Sequence, residues 1–466
     1  MKGLLIVFLT ALVILFMSLS RERRAWLQPT GFLGLIAALA VMLSDLLSGD
    51  TSGLNAQFAD MMVFDDYALS FSSAAILGAL LIVGLSAWGF RHLDETLGDN
   101  YGLILFSLCG AFCMFAFTNA VMLFIGIEIL SIPLYVLAGS RRNDPAGNEA
   151  ALKYFLMGAF ATGILLFGLT FVYGATGSFQ MAQIADRIAS GRFEAALLYP
   201  GIVLILAGMS FKVSAAPFHF WAPDVYQGSP NLVTAYMATV VKVAGFAAFY
   251  RLFSMAFAGV QEFWAAGVAA IAALTMTLAN ITAIFQQDFK RMLAYSSISH
   301  AGYLLLGILA IGQSGSAGAI LLYALTYTAA SIAAFACYIV VAEPNSDGSM
   351  NAFRNLGRTQ PLVTAVMAIS MLSLAGIPPL PGFFGKYFLF AQAFQKYPWL
   401  VVLAAINSAI SIHYYFKVII AMYFGWADEE SNRVVLPASV GRVMAITLLL
   451  LLALIIVPGW VYGLLG

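Results

Sequence analysis

Lys212-Val213-Ser214-Ala215-Ala216-Pro217-Phe218-His219-Phe220-Trp221-Ala222-Pro223-Asp224 is a run in which a lysine, two prolines, a histidine and an aspartate interrupt an apolar segment. Proline removes an intrahelical hydrogen bond and clashes with the preceding turn. The run therefore reads as a broken helix, with the breaks at Pro217 and Pro223. Downstream, Ala375-Gly376-Ile377-Pro378-Pro379-Leu380-Pro381-Gly382-Phe383-Phe384-Gly385-Lys386 has the same character, with breaks at Pro378, Pro379 and Pro381. Interrupted helices at membrane depth are tolerated where they line a cavity or pack inside protein. Two of them, each with a lysine beside the break, suggest duplicated halves.

The composition around these runs is that of a polytopic membrane protein. Of 466 residues, 62% are hydrophobic and 9% charged, and the mean hydropathy is +0.92. The 22 basic and 22 acidic residues cancel, and no basic patch points to nucleic acid. No glycine-rich dinucleotide fingerprint or phosphate loop is present, so a nucleotide site is not expected. Cys109 and Cys113 are four apart and Cys337 stands alone, which is neither the redox C-x-x-C spacing nor a metal cluster. All three read as small core residues. Met1, Lys2 and the apolar run to Met17 read as a first transmembrane helix rather than a signal peptide.

A spanning helix needs about 20 mostly apolar residues. Fourteen windows qualify, near 3–19, 30–48, 69–90, 102–118, 120–139, 150–175, 199–221, 230–255, 262–284, 293–312, 315–342, 361–392, 398–424 and 439–465. The expected fold class is an all-α polytopic membrane protein of about fourteen helices, the seventh and twelfth broken. Loops after odd-numbered helices hold Arg21, Arg23, Arg24, Arg91, Arg141, Arg142, Lys290, Arg291, Arg354, Arg358, Arg433 and Arg442. The other side holds Lys2, Arg187, Arg192, Arg251 and Lys396. Twelve against five places the odd loops in the cytoplasm and both termini outside.

Polar landmarks recur at a nearly constant offset: 174 residues from Lys212 to Lys386, 172 from Glu128 to His300, and 175 from Lys242 to Lys417. This suggests an internal repeat of five helices. Five is odd, so the copies are inverted. The expected organisation is 1–101 for the first three helices, 102–255 and 256–424 for the two repeats, and 425–466 for the last helix.

Lys212, Lys242, Lys386, Lys417 and Glu128 stand inside apolar segments. A charge at the bilayer centre costs at least about 2.5–3.5 kcal/mol, and such charges mark ion or proton routes by default. Desolvation favours the neutral amine, which suits lysine to proton relay. Glu128, the deep acid of the first half, is the natural modulator of Lys212; the competing reading is a static buried ion pair. His300 follows Tyr295-Ser296-Ser297-Ile298-Ser299 and either passes protons between its nitrogens or is a satisfied structural histidine. Lys153 opens the sixth helix as an interface anchor or a first station. His413 and Lys417, one turn apart, form an exit station or, for Lys417, a snorkelling side chain. His219 and Asp224 orient unwound backbone or solvate a channel. Asp60, Asp65 and Asp66, with Asp50, read as a solvated acidic surface.

The run 212–230, KVSAAPFHFWAPDVYQGSP, resembles the signature of the antiporter-like membrane subunits of respiratory complex I, and the resemblance covers nearly the whole chain. That family is similar to the large subunits of multi-subunit sodium/proton antiporters and membrane-bound hydrogenases. In the twelfth helix, AGIPPLPGFFGKYFLF with lysine at 386 resembles the chain N type of bacterial NADH–quinone oxidoreductase, where the chain M type carries glutamate. The resemblance implies proton translocation through Glu128, Lys153, Lys212, Lys242, His300 and Lys386, driven by quinone reduction elsewhere. It implies flavin and iron–sulfur clusters in partner subunits, with no cofactor, metal or NADH site in this chain. Its expected partners are other membrane subunits of complex I and the lipid of a bacterial inner membrane. A sodium/proton antiporter component and a subunit of a thylakoid ferredoxin–plastoquinone complex are the alternatives.

Overall fold

The computed structural model describes residues 1–49, 57–90, 97–141, 143–342, 348–425 and 435–465. Asp50, Arg91, Arg142 and Arg433 lie outside them. The described elements are helical. In chain order they are α1 (Lys2–Ser18), α2 (Leu27–Ser48), α3 (Asp66–Gly89), α4 (Leu97–Ala116), α5 (Ala120–Ala138) and α6 (Pro145–Thr176). A broken pair follows, α7 (Ala195–Lys212) and α8 (Trp221–Gly228). Then come α9 (Asn231–Met255), α10 (Gln261–Ile284), α11 (Phe289–Leu309) and α12 (Ser316–Val341). The second broken pair is α13 (Pro361–Ala375) and α14 (Pro381–Phe394), and α15 (Pro398–Phe424) and α16 (Ala438–Ile456) complete the bundle. Twelve described helices are long and apolar enough to cross a membrane. The remaining two windows hold shorter apolar helices, Lys2–Ser18 and Pro361–Ala375.

Several helices begin earlier than their apolar windows because the capping turn is polar. Asp65 accepts from Ala68 N at 2.9 Å at the start of α3, and Asp288 accepts from Arg291 N at 2.7 Å at the start of α11. Asp144 caps α6, with Pro145 in the first turn where its missing N–H costs nothing. A nine-residue amphipathic helix, Met181–Ala189, fills the connection between α6 and α7.

The bundle is layered by burial. The qualifying window of α9 is buried throughout, and those of α11 and α12 are 94% buried. The rim is apolar and outward-facing, as at Phe16 of α1, Leu33 of α2, Phe160 of α6 and Phe424 of α15. The central helices therefore never meet lipid, and polar side chains on them have protein as their solvent.

Both interrupted helices are present, but Pro223 is not at a break: it stands in the first turn of α8, where its missing N–H costs nothing, and Pro381 likewise opens α14. Both interruptions are satisfied by neighbours. Between α7 and α8, Ala216 N donates to Thr275 Oγ1 of α10 at 2.9 Å, and Trp221 Nε1 donates to Phe211 O at 3.1 Å. Between α13 and α14, Gly382 N donates to Ser373 Oγ at 3.2 Å and Lys386 Nζ to Ala375 O at 2.9 Å. This is how interrupted backbone survives without water. The two lysines stand on opposite sides of their breaks: Lys212 closes α7, whereas Lys386 lies inside α14. Lys242 is buried, whereas Lys417 is half-buried near the end of α15. The constant offset thus pairs residues in unlike positions.

Two further expectations are corrected. Arg251 is not a loop residue: it is buried in α9, holds Asp65 through Nη1 with both contacts at 2.9 Å, and donates from Nε to Phe117 O at 2.9 Å. Asp65 is accordingly a helix cap and an ion-pair partner rather than free acidic surface. The pair ties α3 to α9 because a guanidinium this buried must be hydrogen-bonded.

Candidate functional site

Four of the expected relay residues face the interior. Lys212, at the end of α7, donates to Ser131 Oγ of α5 at 2.6 Å. It lines a small cavity with Ser131, Tyr135, Tyr154 and Trp221. Glu128 stands half-buried one turn before Ser131. The expected direct pair with Lys212 is not formed; the contact belongs to Ser131, one turn from Glu128. The sequence could not show this, because one helical turn separates a serine from a glutamate on nearly the same face.

Lys242 follows a π-helical turn, Met237–Val241, that interrupts α9. Single π turns inside α-helices often mark functional positions. Nothing in the sequence at 237–241, MATVV, signals it. Lys242 is 3% exposed, and its Nζ donates to Ser297 O of α11 at 2.6 Å. One turn along α11, His300 is 3% exposed and has a phenol on each ring nitrogen: Tyr323 at 2.6 Å from Nδ1 and Tyr415 at 3.0 Å from Nε2. Tyr415 also meets Ser296 Oγ at 2.5 Å.

Lys386 is 5% exposed and donates to Ala375 O at 2.9 Å and to Ser408 Oγ at 2.8 Å. Its ammonium lies 5.0 Å from the centroid of the Tyr303 ring, a cation–π distance. Gly376, at φ +83°, makes room for it: a Cβ there would stand 2.8 Å from Lys386 Cδ. Lys386 opens on an apolar cavity of about 460 Å³ with Phe383, Tyr387, Phe390 and Val401 in its wall.

The other expected residues lie apart from this core. Lys153 is at the surface, bound to Glu149 and Asp224 at 2.8 Å each. Asp224 also holds Arg291 at 2.8 Å, so it bridges α6, α8 and α11. Lys417 Nζ donates to Gln286 O at 3.0 Å, beyond the end of α10, and His413 is exposed. Gln286 shares its connection with Asp288, next to Arg291, on the side that the charge count assigns to the cytoplasm. His413 and Lys417 thus stand apart from the row of buried groups. Lys417 meets the carbonyl end of α10, where a cation is favoured. His219 is buried within the first break, 4.5 Å from the ring of Phe220.

The family described as NADH:quinone oxidoreductase/Mrp antiporter, TM, matches residues 118–411. NADH-quinone oxidoreductase subunit N of Flavobacterium psychrophilum is 39% identical over 464 residues, 99% of each chain. The chain belongs to this family, and within it to the subunit N type. The subunit N of Trichlorobacter lovleyi is 42% identical over 418 residues, covering 89% of this chain and 84% of that one. A chain of respiratory complex I from Thermus thermophilus superposes with a TM-score of 0.83 at 35% identity, covering 99% of this chain and 98% of that one. A chain of the Mrp complex from Dietzia sp. shares the fold, with a TM-score of 0.84 at 20% identity over 99% of this chain and 95% of that one.

Proposed function

We propose that this chain carries protons across a bacterial inner membrane as a subunit of NADH-quinone oxidoreductase, with quinone reduction in partner subunits supplying the energy. The observation that carries the reading is the row of inward-facing basic groups, half-buried Lys212 and buried Lys242, His300 and Lys386, each held by neutral oxygens rather than by carboxylates. A structural ammonium in a low-dielectric interior is expected to sit in a tight ion pair. Ammonium groups held by serine hydroxyls and main-chain carbonyls keep solvation without a fixed counter-charge, so loss of a proton strands no buried anion. Glu128, one turn from the Ser131 contact, biases Lys212 without locking it.

In this reading a proton is taken up from the cytoplasmic side, where Lys153, Glu149, Asp224 and Arg291 gather charge at the surface. It passes along Lys212, Lys242 and His300 to Lys386. The two shorter helices cross the membrane too, giving fourteen crossings with both termini outside. Residues 102–255 and 256–424 are inverted repeats, each ending in a broken helix and a long one. Flavin and iron–sulfur clusters belong to partner subunits. The test is Glu128→Ala in the assembled complex, scored by NADH-driven acidification of inverted vesicles. Pumping should fall sharply with assembly intact, and Glu128→Asp should be milder. Normal pumping by an assembled Glu128→Ala complex refutes Glu128 as modulator.

A further inference from the structure

A histidine that passes a proton needs a donor on one ring nitrogen and an acceptor on the other. In the centre of this bundle both positions are filled, and both by tyrosine. Tyr415, from α15, lies at Nε2, and Tyr323, from α12, lies at Nδ1. All three groups are buried, His300 and Tyr323 at 3% and 2% exposure and Tyr415 below 2%. No bulk water reaches the ring, so these two hydroxyls are its hydrogen-bonding outlets among the described residues.

The tyrosines also point to opposite stations. Tyr415 meets Ser296 at 2.5 Å, and Ser296 adjoins Ser297, whose carbonyl holds Lys242 at 2.6 Å. This is the Lys242 side. Tyr323 faces the second break: a Cβ on Gly385, next to Lys386, would stand 3.3 Å from Tyr323 Cα. A void of about 10 Å³ lies between His300, Tyr323 and Thr326 on one wall and Ser373 and Gly382 on the other. That is close to the space a single water needs. This is the Lys386 side.

We propose that Tyr415 and Tyr323 are proton-carrying groups, delivering a proton to His300 from the Lys242 side and removing one toward Lys386. The step balances with one water on each side of the ring. His300 starts with its proton on Nδ1, donated to the Tyr323 oxygen, and with Nε2 accepting the Tyr415 hydroxyl. The Tyr415 O–H bond breaks as Nε2–H forms. The Nδ1–H bond breaks as a new O–H forms on Tyr323, whose former proton passes to a water seated in the adjoining void and travels on as hydronium toward Lys386. Tyr415 recovers a proton from the Ser296 hydroxyl, and Ser296 is reprotonated by the Lys242 ammonium through one bridging water, since the Ser297 carbonyl between them only accepts. One proton arrives, one departs, and neither phenol need dwell as phenolate. This inference rests on the relay reading of His300 and adds two residues to it.

The experiment compares Tyr415→Phe, Tyr323→Phe, the double variant and His300→Ala in the intact complex. Assembly is followed by native gel and pumping by NADH-driven acidification of inverted vesicles. Phenylalanine keeps each ring and its packing and removes only the oxygen. Each single variant should pump about 10²-fold more slowly, the low end of what a positioned acid–base group contributes. Because the hydroxyls act in series, the double variant should be no slower than the worse single one. Wild-type pumping by either assembled single variant overturns the proposal. So does a double variant slowed by the product of the two single effects, the mark of independent structural losses. If His300→Ala is dead while both phenylalanine variants pump normally, the relay reading stands and this proposal fails. If His300→Ala itself pumps normally, both fail.

Discussion

Gly376→Ala should disable Lys386 without touching it. Gly376 sits at φ +83°, and an L-residue held in a left-handed conformation costs roughly 1–2 kcal/mol. The added Cβ would stand 2.8 Å from Lys386 Cδ, 3.1 Å from Nζ and 3.2 Å from Cε, so the side chain has to move. Its ammonium then gives up its bond to Ala375 O, to Ser408 Oγ, or to both, now 2.9 and 2.8 Å. A hydrogen bond to a charged group contributes about 1.5–3 kcal/mol. One lost bond plus the backbone term comes to about 2.5–5 kcal/mol, most of it localised at the second break. The assay is thermal unfolding of the assembled complex alongside vesicle acidification. Gly163→Ala in α6, where a Cβ would meet nothing within 4 Å, is the control and should be neutral. An assembled Gly376→Ala complex that melts and pumps like wild type would refute the claim that Lys386 must occupy this position.

Lys386→Glu keeps a titratable group at this position and should keep part of the pumping, whereas a scaffold that needs only positive charge predicts a dead variant; the readout is again NADH-driven acidification. Asp65→Ala should destabilise the fold by somewhat less than the ~3–5 kcal/mol of a fully buried broken pair, because the Asp65 side chain is 44% exposed while Arg251 is left buried without its partner; thermal unfolding of the complex checks it. Single cysteines at Asn143 and Arg192, both exposed, should show opposite labelling by an impermeant maleimide, with Arg192→Cys reactive in intact cells and Asn143→Cys only after lysis. The native cysteines 109, 113 and 337 are buried and give little background.

Most of the scaffold was legible because the bilayer imposes it. Twenty apolar residues announce a helix, and proline beside lysine announces a break, so both broken helices appear where the sequence placed them. The capping turns were readable as chemistry but lay outside the apolar windows, which is why α3, α6, α7 and α11 start earlier than hydropathy suggests. What the sequence withheld was who touches whom across helices. Ser131 was indistinguishable from any other membrane serine, yet it takes the bond expected of Glu128. Arg251 and Asp65, far apart in the chain, gave no hint of pairing. Nothing in the sequence set Tyr323 and Tyr415 apart from the other tyrosines among its 20. The π turn before Lys242 has no sequence signature, because it depends on packing of a fully buried helix. Lys417 satisfied the spacing of a repeat but sits near a helix end.

The central claim is that the buried lysines exchange protons during turnover, and Lys242→Arg tests it most directly. Arginine keeps the positive charge and a long side chain but does not release its proton in a protein. The measurement is the number of protons translocated per NADH oxidised by the assembled variant complex in sealed vesicles. If Lys242 carries protons, the yield falls well below that of the wild type even where NADH oxidation persists. An unchanged proton yield would show that a fixed charge suffices at this position, and the path would have to run elsewhere.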